Sequence, residues 1–198
     1  MRVPSDAEIR ALHERCAPGR EAFELVWTHC AIVCEIAERI MADGRFDVDA
    51  DLVRAGCLLH DIGVYRLYDA AGEIDFKGYV RHGVLGHELL RDEGFPEVIC
   101  RFCSCHTGMG LTRDDIERQA LPLPPGDYVA QTGEERLVMY ADKFHSKTNP
   151  PVFVSADTYA VHVRRFGAGK EQVFQEMRAL YGEPDLKPLA AAYGHALV

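Results

Sequence analysis

Apolar residues recur along most of this chain at the three- and four-residue spacing of helices that bury one face. The clearest example is the segment 20–43, where one apolar stripe continues to the end and Gly44 stands where a helix would stop. Near the N-terminus, Ser5 and Glu8 have the spacing of a capping box, which predicts a short helix. The same periodicity predicts the other helices, at about 49–60, 80–93, 96–106, 112–119, 132–145, 155–165 and 168–182.

Outside these helices the sequence has no β-type alternation of useful length and no internal repeat. Helical periodicity resumes directly after the proline-rich stretch 121–128, which is therefore expected to be an ordered loop rather than a domain linker. The aromatic segment 64–79 is predicted to be a lid or a loop, and residues 187–198 show too little pattern to be held firmly. The sequence predicts a single all-α domain over 1–198, a helical bundle with C-terminal helices within 155–182.

Composition narrows the class of protein without naming a function. The 198 residues are 47% hydrophobic and 27% charged, which is typical of a soluble domain with a real core. The chain has no membrane-length apolar run and no N-terminal signal pattern, so we expect a cytoplasmic protein that does not bind membranes. A net charge of −9 argues against a nucleic-acid polymer as partner, and an anionic substrate would need local lysines, arginines or a metal.

Seven cysteines are an odd number in a chain without an export signal, which favours reduced and mostly buried thiols. Cys100 and Cys103 have the spacing of half a zinc knuckle, but no second C-x-x-C pair completes four ligands. Cys103 and Cys105 also lack the spacing of a haem attachment site. We interpret these thiols as side chains that pack between helices around His106.

The nine histidines are the candidates for chemistry. His60 and Asp61 end a helix that is otherwise apolar, where two ionisable groups are costly unless a metal or solvent satisfies them. His29 borders the apolar stripe of its helix, and Asp142 lies at the buried margin of another. A lone carboxylate at such a margin needs a cationic partner or a metal, so these positions together favour a metal site.

The order of these residues resembles the metal signature of the HD superfamily of phosphohydrolases. The matching elements are the HDIG string His60–Gly63, the H-x3-G element His82–Gly86, His106 before Thr-Gly, and Asp142 in Tyr-Ala-Asp-Lys, all following His29. The resemblance covers about 20–146. It extends in particular to small, uncharacterised bacterial and archaeal HDIG-domain proteins, which share the run LLRDEGFPEVICRF and the LPLPPGDY loop. The chain is more distantly similar to HD-type symmetric diadenosine tetraphosphatases.

The resemblance implies an HD-type helical domain with one or two divalent metal ions. The first ion would be held by His29, His60, Asp61 and Asp142, and Asp61 would bridge to a second ion held by His82 and His106. Imidazole and carboxylate ligands suit Fe, Mn, Zn, Co or Ni, whereas Mg prefers an all-oxygen set. Two such ions clamp a phosphoryl group and activate a water as nucleophile.

The implied reaction is hydrolysis of a phosphomonoester or phosphoanhydride, with a nucleotide or another small phosphorylated molecule as substrate. Asp61 would be catalytic through the metals. Lys143, next to the closing aspartate, and Arg66, just past HDIG, are predicted to contact the phosphate, although each is of a type more often found on the surface. The sequence offers three further cations for this role, Lys77, Arg81 and Lys147.

Two other functions stay open on the sequence. Some HD-type proteins use the same six ligands on two irons to cleave C–P or C–C bonds with oxygen. The phosphonate-cleaving ones carry Tyr and Glu before the first histidine, where this chain has Gly19 and Ala22. This difference makes an oxygenase less favoured than a hydrolase. A metal-binding or nucleotide-sensing module without catalysis would not need the full ligand set. An oligomer is compatible with the sequence.

The remaining histidines are less informative. His87 follows His82 by five residues, about 140° round a helix, and is left out of the ligand set. His145 follows Asp142 by three residues and either supports the ligands or lies partly exposed on the same helix face. The sequence shows no constellation around the others, His13, His162 and His195.

Overall fold

The computed structural model describes residues 2–42 and 46–198, and most of these residues are helical. The α-helices of this part are α1 (Asp6–Cys16), α2 (Arg20–Met41), α3 (Ala50–Leu59), α4 (His82–Asp92), α5 (Glu97–Cys105), α6 (Arg113–Arg118), α7 (Gly133–Asp142), α8 (Ala156–Val163), α9 (Ala168–Tyr181) and α10 (Lys187–Tyr193). Short 3-10 helices lie at Ile62–Leu67, Tyr79–Arg81 and Arg164–Phe166. The predicted all-α class is confirmed. Gly44, the predicted end of α2, lies outside the described residues.

Capping boxes define where several helices begin. The Ser5 hydroxyl accepts from the backbone N–H of Glu8, and the Glu8 carboxylate accepts from the backbone N–H of Ser5, as the sequence predicts. Thr112 and Thr132 cap α6 and α7 in the same reciprocal way. Because α7 carries Asp142 at its far end, its start at Thr132 determines where that carboxylate lies.

The core lies where α2, α3, α5 and α7 pack against one another. Helix α3 is buried over most of its surface, as its nearly continuous apolar sequence predicts. Each buried Leu, Ile or Phe here contributes about 1.5–3 kcal/mol relative to an exposed side chain. Within the two described ranges, no helix combines the length and the apolar run that crossing a membrane requires.

Two glycines allow α4 to contact the turn that follows His60. A Cβ atom at Gly63 would lie 2.1 Å from the His82 carbonyl oxygen and 2.2 Å from the Gly86 backbone nitrogen, far inside any tolerated contact. The backbones of the turn and of α4 therefore touch directly at Gly63 and Gly86. This contact explains the glycines of the HDIG and H-x3-G elements and brings His82 beside His60.

A small sheet packs beside the helices. Its strands β1 (His145–Ser146), β2 (Val152–Phe153) and β3 (Ala196–Leu197) lie in the order β1-β2-β3. β1 and β2 are antiparallel, whereas β2 and β3 are parallel. Strands of two residues carry no detectable alternation, which is why the sequence pattern does not predict them.

The structure corrects two predictions near this sheet. The helix predicted to continue to 145 ends at Asp142, because the Phe144 carbonyl accepts from the backbone N–H of Val154 and draws the chain into the sheet. Residues 187–198 are not loosely held. They form α10 and β3, and the backbone N–H of Ser155 donates to the Val198 carbonyl at 2.7 Å.

Most of the cysteines are packed in the interior, as predicted. Within the described residues none forms a disulfide, and all but Cys16 are buried. Cys103 packs against Gly86, and its thiol donates to the Leu59 carbonyl at 3.3 Å.

We expect Gly63→Ala to lower the free energy of unfolding by about 3 kcal/mol, because the added methyl group meets backbone atoms that have no room to move. Chemical unfolding followed by circular dichroism measures the change. Gly169→Ala in α9 is the control. Its methyl group would meet nothing within 4 Å, so the free energy should stay within about 1 kcal/mol. Equal midpoints for the two variants would contradict the close contact at Gly63.

Candidate metal centre

The six predicted ligands converge at one place in the core, although they come from five different elements, one from within a helix and the others from helix ends or the turns beside them. His29 lies within α2, His60 and Asp61 directly follow α3, His82 begins α4, His106 follows α5, and Asp142 ends α7. Five of the six side chains are nearly inaccessible, and Asp142 is 15% exposed. Such burial of ionisable groups in one cluster is costly unless they neutralise one another or bind a cation.

One group of ligand atoms surrounds a single point. The His29 Nε2 atom lies 3.2 Å from His60 Nε2 and 3.0 Å from Asp142 Oδ1. Asp61 Oδ2 completes the group, 3.2 Å from His29 Nε2 and 3.6 Å from His60 Nε2. Ligands about 2.1 Å from one metal ion lie about 3 Å from each other, so the atoms of His29, His60 and Asp142 have the spacing of one coordination sphere, and Asp61 Oδ2 lies beside two of them.

A second group lies on the other side of Asp61. The Nε2 atoms of His82 and His106 are 2.9 Å apart and lie 3.4 Å and 3.5 Å from Asp61 Oδ1. This oxygen is buried and has no hydrogen-bond partner among the described residues. A buried oxygen without a partner is rare in folded proteins, and a cation would satisfy it. Asp61 therefore presents one oxygen to each group of histidines, which is the arrangement of a bridging carboxylate.

Backbone carbonyls orient three of the histidines. Nδ1 of His60 donates to the Cys57 carbonyl at 2.7 Å, and Nδ1 of His82 donates to the Tyr79 carbonyl at 2.6 Å. Nδ1 of His106 donates in the same way, to a carbonyl of α5 at 3.0 Å. A carbonyl only accepts, so each Nδ1 carries the proton and each Nε2 lone pair faces the site. Such bonds are the usual outer support of histidine ligands.

The imidazoles are mostly in the state that a metal requires. Burial lowers the pKa of His29 to about 4 and that of His82 to about 3, and it also lowers the pKa of His106. These rings are therefore neutral near pH 7. His60 differs. Burial opposes its charge, but the neighbouring groups Cys30, Asp61 and Asp142 raise its pKa well above the usual value.

Two lysines keep the carboxylates ionised. The Lys147 ammonium group contacts Asp61 Oδ2, and the Lys143 ammonium group lies 2.6 Å from Asp142 Oδ2. Burial opposes ionisation of Asp61 and Asp142, but these cations and the nearby imidazoles hold both carboxyl pKa values well below the usual range. Ionised carboxylates together with imidazole nitrogens form a ligand set that suits first-row divalent ions.

A cavity of about 410 Å³ opens beside the ligands. Its polar end contains Asp61, His82, His106, Asp142, Tyr79 and Lys147. The rest of its lining is largely apolar and includes Met109, Leu111, Leu121, Val163 and Phe166, together with the polar side chains of Gln119 and Lys170. The site thus joins a cation-binding end to an apolar chamber of small-molecule size.

The HD-domain family model matches residues 26–147, which include all six ligands. The chain belongs to the HD-domain family. It is 38% identical over 122 residues to an uncharacterized protein of Methanocaldococcus jannaschii, covering 60% of this chain and 65% of that one. It is also similar to part of two tRNA (cytidine(56)-2′-O)-methyltransferases.

The methyltransferase of Picrophilus torridus is 38% identical over 128 residues, and that of Thermoplasma volcanium is 32% identical over 121 residues. These matches cover 65% and 61% of this chain. They span 33% and 32% of the two enzymes, so this HD domain corresponds to about a third of each relative.

The HD domain of the Listeria monocytogenes phosphodiesterase PgpH has a similar structure, with a TM-score of 0.52 and 15% sequence identity. The superposition covers 93% of this chain and 98% of the PgpH domain. The same domain in complex with cyclic-di-AMP gives a TM-score of 0.50 over 88% of this chain and 97% of that one. At this identity the likeness shows a shared fold, in agreement with the predicted HD-type bundle.

The structure separates the predicted phosphate-binding cations. Arg66 does not reach the site, because its guanidinium group pairs with Asp92 at 3.1 Å and it does not line the cavity. Lys77 and Arg81 are exposed and also do not line it. Lys143 reaches the ligands, but both partners of its ammonium group are protein oxygens, and it too is absent from the cavity wall.

Lys147 combines contact with a ligand and access to the cavity. The sequence names it as a candidate cation but offers no reason to prefer it. Tyr79 also lines the cavity. The sequence does not indicate it, because it lies in the segment 64–79 that is predicted to be a lid or a loop.

The other histidines also find their places. Nδ1 of His87 contacts the Ser104 hydroxyl at 3.1 Å, away from the ligands. His13 is buried and bonds to the Tyr65 hydroxyl and to a backbone carbonyl. His145 is buried against His29 rather than placed beside Asp142 on a common helix face, because the helix has already ended.

We expect the double variant His82→Ala/His106→Ala to lower the bound metal from two ions per chain to one, because it leaves Asp61 Oδ1 with no imidazole beside it. Metal content after zinc loading and dialysis measures this stoichiometry. His87→Ala changes a histidine of the same helix that faces elsewhere, and it should keep both ions. Two ions retained by the double variant would show that the second group does not form a site.

Proposed function

We propose that this HD domain is a metal-dependent phosphohydrolase that cleaves a phosphomonoester or phosphoanhydride of a small molecule. The observation that carries the proposal is the buried carboxylate of Asp61, whose two oxygens face separate groups of histidines at the edge of a cavity. Divalent ions held there would supply a water activated as nucleophile near neutral pH and a clamp for phosphoryl oxygens. His29, His60 and Asp142 would hold one ion, His82 and His106 the other.

Lys147 and Tyr79 are the groups that we assign to the phosphate. Burial disfavours the Lys147 charge, but Asp61 outweighs this and raises its pKa, so the ammonium group stays protonated. Burial also raises the pKa of Tyr79 to about 12, so its hydroxyl keeps a proton to donate. A phosphoryl oxygen that enters beside Asp61 would meet both donors in a site with little water, where charge-assisted hydrogen bonds are strong.

The apolar wall indicates what the phosphate is attached to. Met109, Leu111, Leu121, Val163 and Phe166 line a chamber that suits a compact organic group with apolar surface. The net charge of −9 disfavours a polyanion as substrate. The cyclic-di-AMP complex of PgpH is an example of a small phosphorylated ligand in a domain of similar fold. This likeness supports the general class and no particular compound.

We expect Lys147→Met to lower kcat/KM for phosphoester hydrolysis about a hundredfold, because the phosphate loses a cation that bears on the charge formed in the transition state. Initial rates with p-nitrophenyl phosphate and with nucleoside monophosphates measure the effect. Metal content should not fall, since Lys147 is not a ligand. Lys77→Met, which removes an exposed lysine outside the cavity, is the matched control. Equal losses in both variants would contradict the role of Lys147.

The reaction class itself is tested on protein purified without oxygen and analysed for metal. Phosphate release from a panel of phosphoesters and phosphoanhydrides is measured beside oxygen uptake. We expect release that does not depend on oxygen and that disappears in Asp61→Ala, because both metal groups lose their shared ligand. Oxygen consumption with a phosphonate, without phosphate release from any ester, would overturn the proposal in favour of an oxygenase.

A further inference from the structure

Three histidines form a continuous chain from the metal centre to the C-terminal strand. Nδ1 of His29 lies 2.9 Å from Nδ1 of His145, whose Nε2 lies 3.1 Å from Nδ1 of His195. His145 is buried, whereas His195 is half-buried. The chain therefore starts at a ligand of the first group and ends near the surface.

The small sheet holds this chain together. His145 belongs to β1 and pairs with Phe153 of β2, while β3, which directly follows His195, pairs with the other side of β2. The Phe153 ring also meets the His145 ring edge-on, with 5.0 Å between centroids. The backbone N–H of His195 bonds to the Ala190 carbonyl at 3.1 Å. The sheet thus brings together two histidines that are 50 residues apart in the sequence.

The number of ring protons fixes the donor and the acceptor in each contact of the histidine chain. Each of the two nitrogen–nitrogen contacts contains one proton, and a neutral imidazole has one proton to give. When His29 Nε2 binds a metal, the proton of that ring must lie on Nδ1 and must be donated to His145 Nδ1. His145 then carries its proton on Nε2 and donates it to His195 Nδ1. One set of tautomers satisfies every contact.

We propose that His145, held by His195, is a positioning residue that directs the Nε2 lone pair of His29 at the first metal. The other three histidine ligands are oriented by backbone carbonyls, which only accept. His29 instead depends on a side chain whose own orientation depends on the C-terminal segment. The affinity of the first site is therefore linked to residues outside the stretch 26–147 that the family model matches.

This inference rests on the metal centre of the proposed function but not on its reaction. Its tests measure metal binding and imidazole tautomers without any substrate. The absence of phosphate release would therefore not contradict this inference. Failure of the metal-binding and tautomer tests would likewise not contradict the proposal of hydrolysis.

The first test compares two substitutions at His145. His145→Leu replaces the buried imidazole by an apolar group of similar size that cannot accept a hydrogen bond from His29. We expect it to weaken zinc binding at the first site about 10–100-fold, measured by competition with a chelating dye. His145→Gln supplies both an acceptor and a donor and should restore most of the affinity. Native affinity in the leucine variant, or no recovery in the glutamine variant, would overturn the proposal.

The second test changes His195, at the other end of the histidine chain. Because His195 is half-buried, its substitution should disturb folding less than a change at His145. His195→Ala should weaken zinc binding by less than His145→Leu does, and His195→Asn should recover it through an acceptor oxygen. Leu197→Ala, on the exposed face of β3, should bind zinc as the native chain does. A loss as large in Leu197→Ala as in His195→Ala would mean that the strand acts only by packing and would overturn the proposal.

A third test uses the native protein and needs no variant. In zinc-loaded protein labelled with ¹⁵N, two-bond proton–nitrogen NMR spectra report which ring nitrogen of each histidine carries the proton. We expect His29 to be protonated on Nδ1, and His145 to be protonated on Nε2. The opposite tautomer at His145 would overturn the proposal, because that ring could not then accept from His29.

Discussion

Burial of the Asp61 carboxylate is the constraint on which the rest of this molecule depends. An ionised group at 1% exposure is stable only if surrounding charges replace its lost hydration. Here the replacement comes from two groups of imidazoles, one facing each oxygen, and from the Lys147 ammonium group. The same surroundings that would make this carboxylate costly without a cation make it suitable for holding a divalent metal ion.

Helix ends are the reason that the ligands can be both buried and oriented. The last carbonyls of an α-helix lack partners within the helix. His60 and His106 stand just past α3 and α5 and donate Nδ1 to such carbonyls, so each histidine satisfies the helix end and turns its Nε2 into the site. Direct backbone contact between Gly63 and Gly86 then brings the start of α4, and His82 with it, to the same point.

The division of the cavity follows from this arrangement. Lys147, the carboxylates and the imidazoles line the cavity beside the ligands, and much of the remaining lining comes from apolar side chains that lie between α5 and α9 in the sequence. Charge and apolar surface are thus presented to a ligand within one cavity. The C-terminal strand contributes through His145 and His195, so the small sheet is connected to the metal centre by hydrogen bonds.

The sequence by itself predicted most of the helices and several of their caps, because periodicity and capping residues are local properties of the chain. Its resemblance to the HD-type motifs indicated the six candidate ligands. It did not predict α10, and it extended α7 beyond Asp142. It favoured Lys143 and Arg66 as the cations at the phosphate, whereas Lys147 is the one of the three that lines the cavity. It also left His195 without a partner, because strands of two residues have no periodicity and their pairing joins segments far apart. Only tertiary packing, which brings distant side chains within hydrogen-bond distance, decided those contacts.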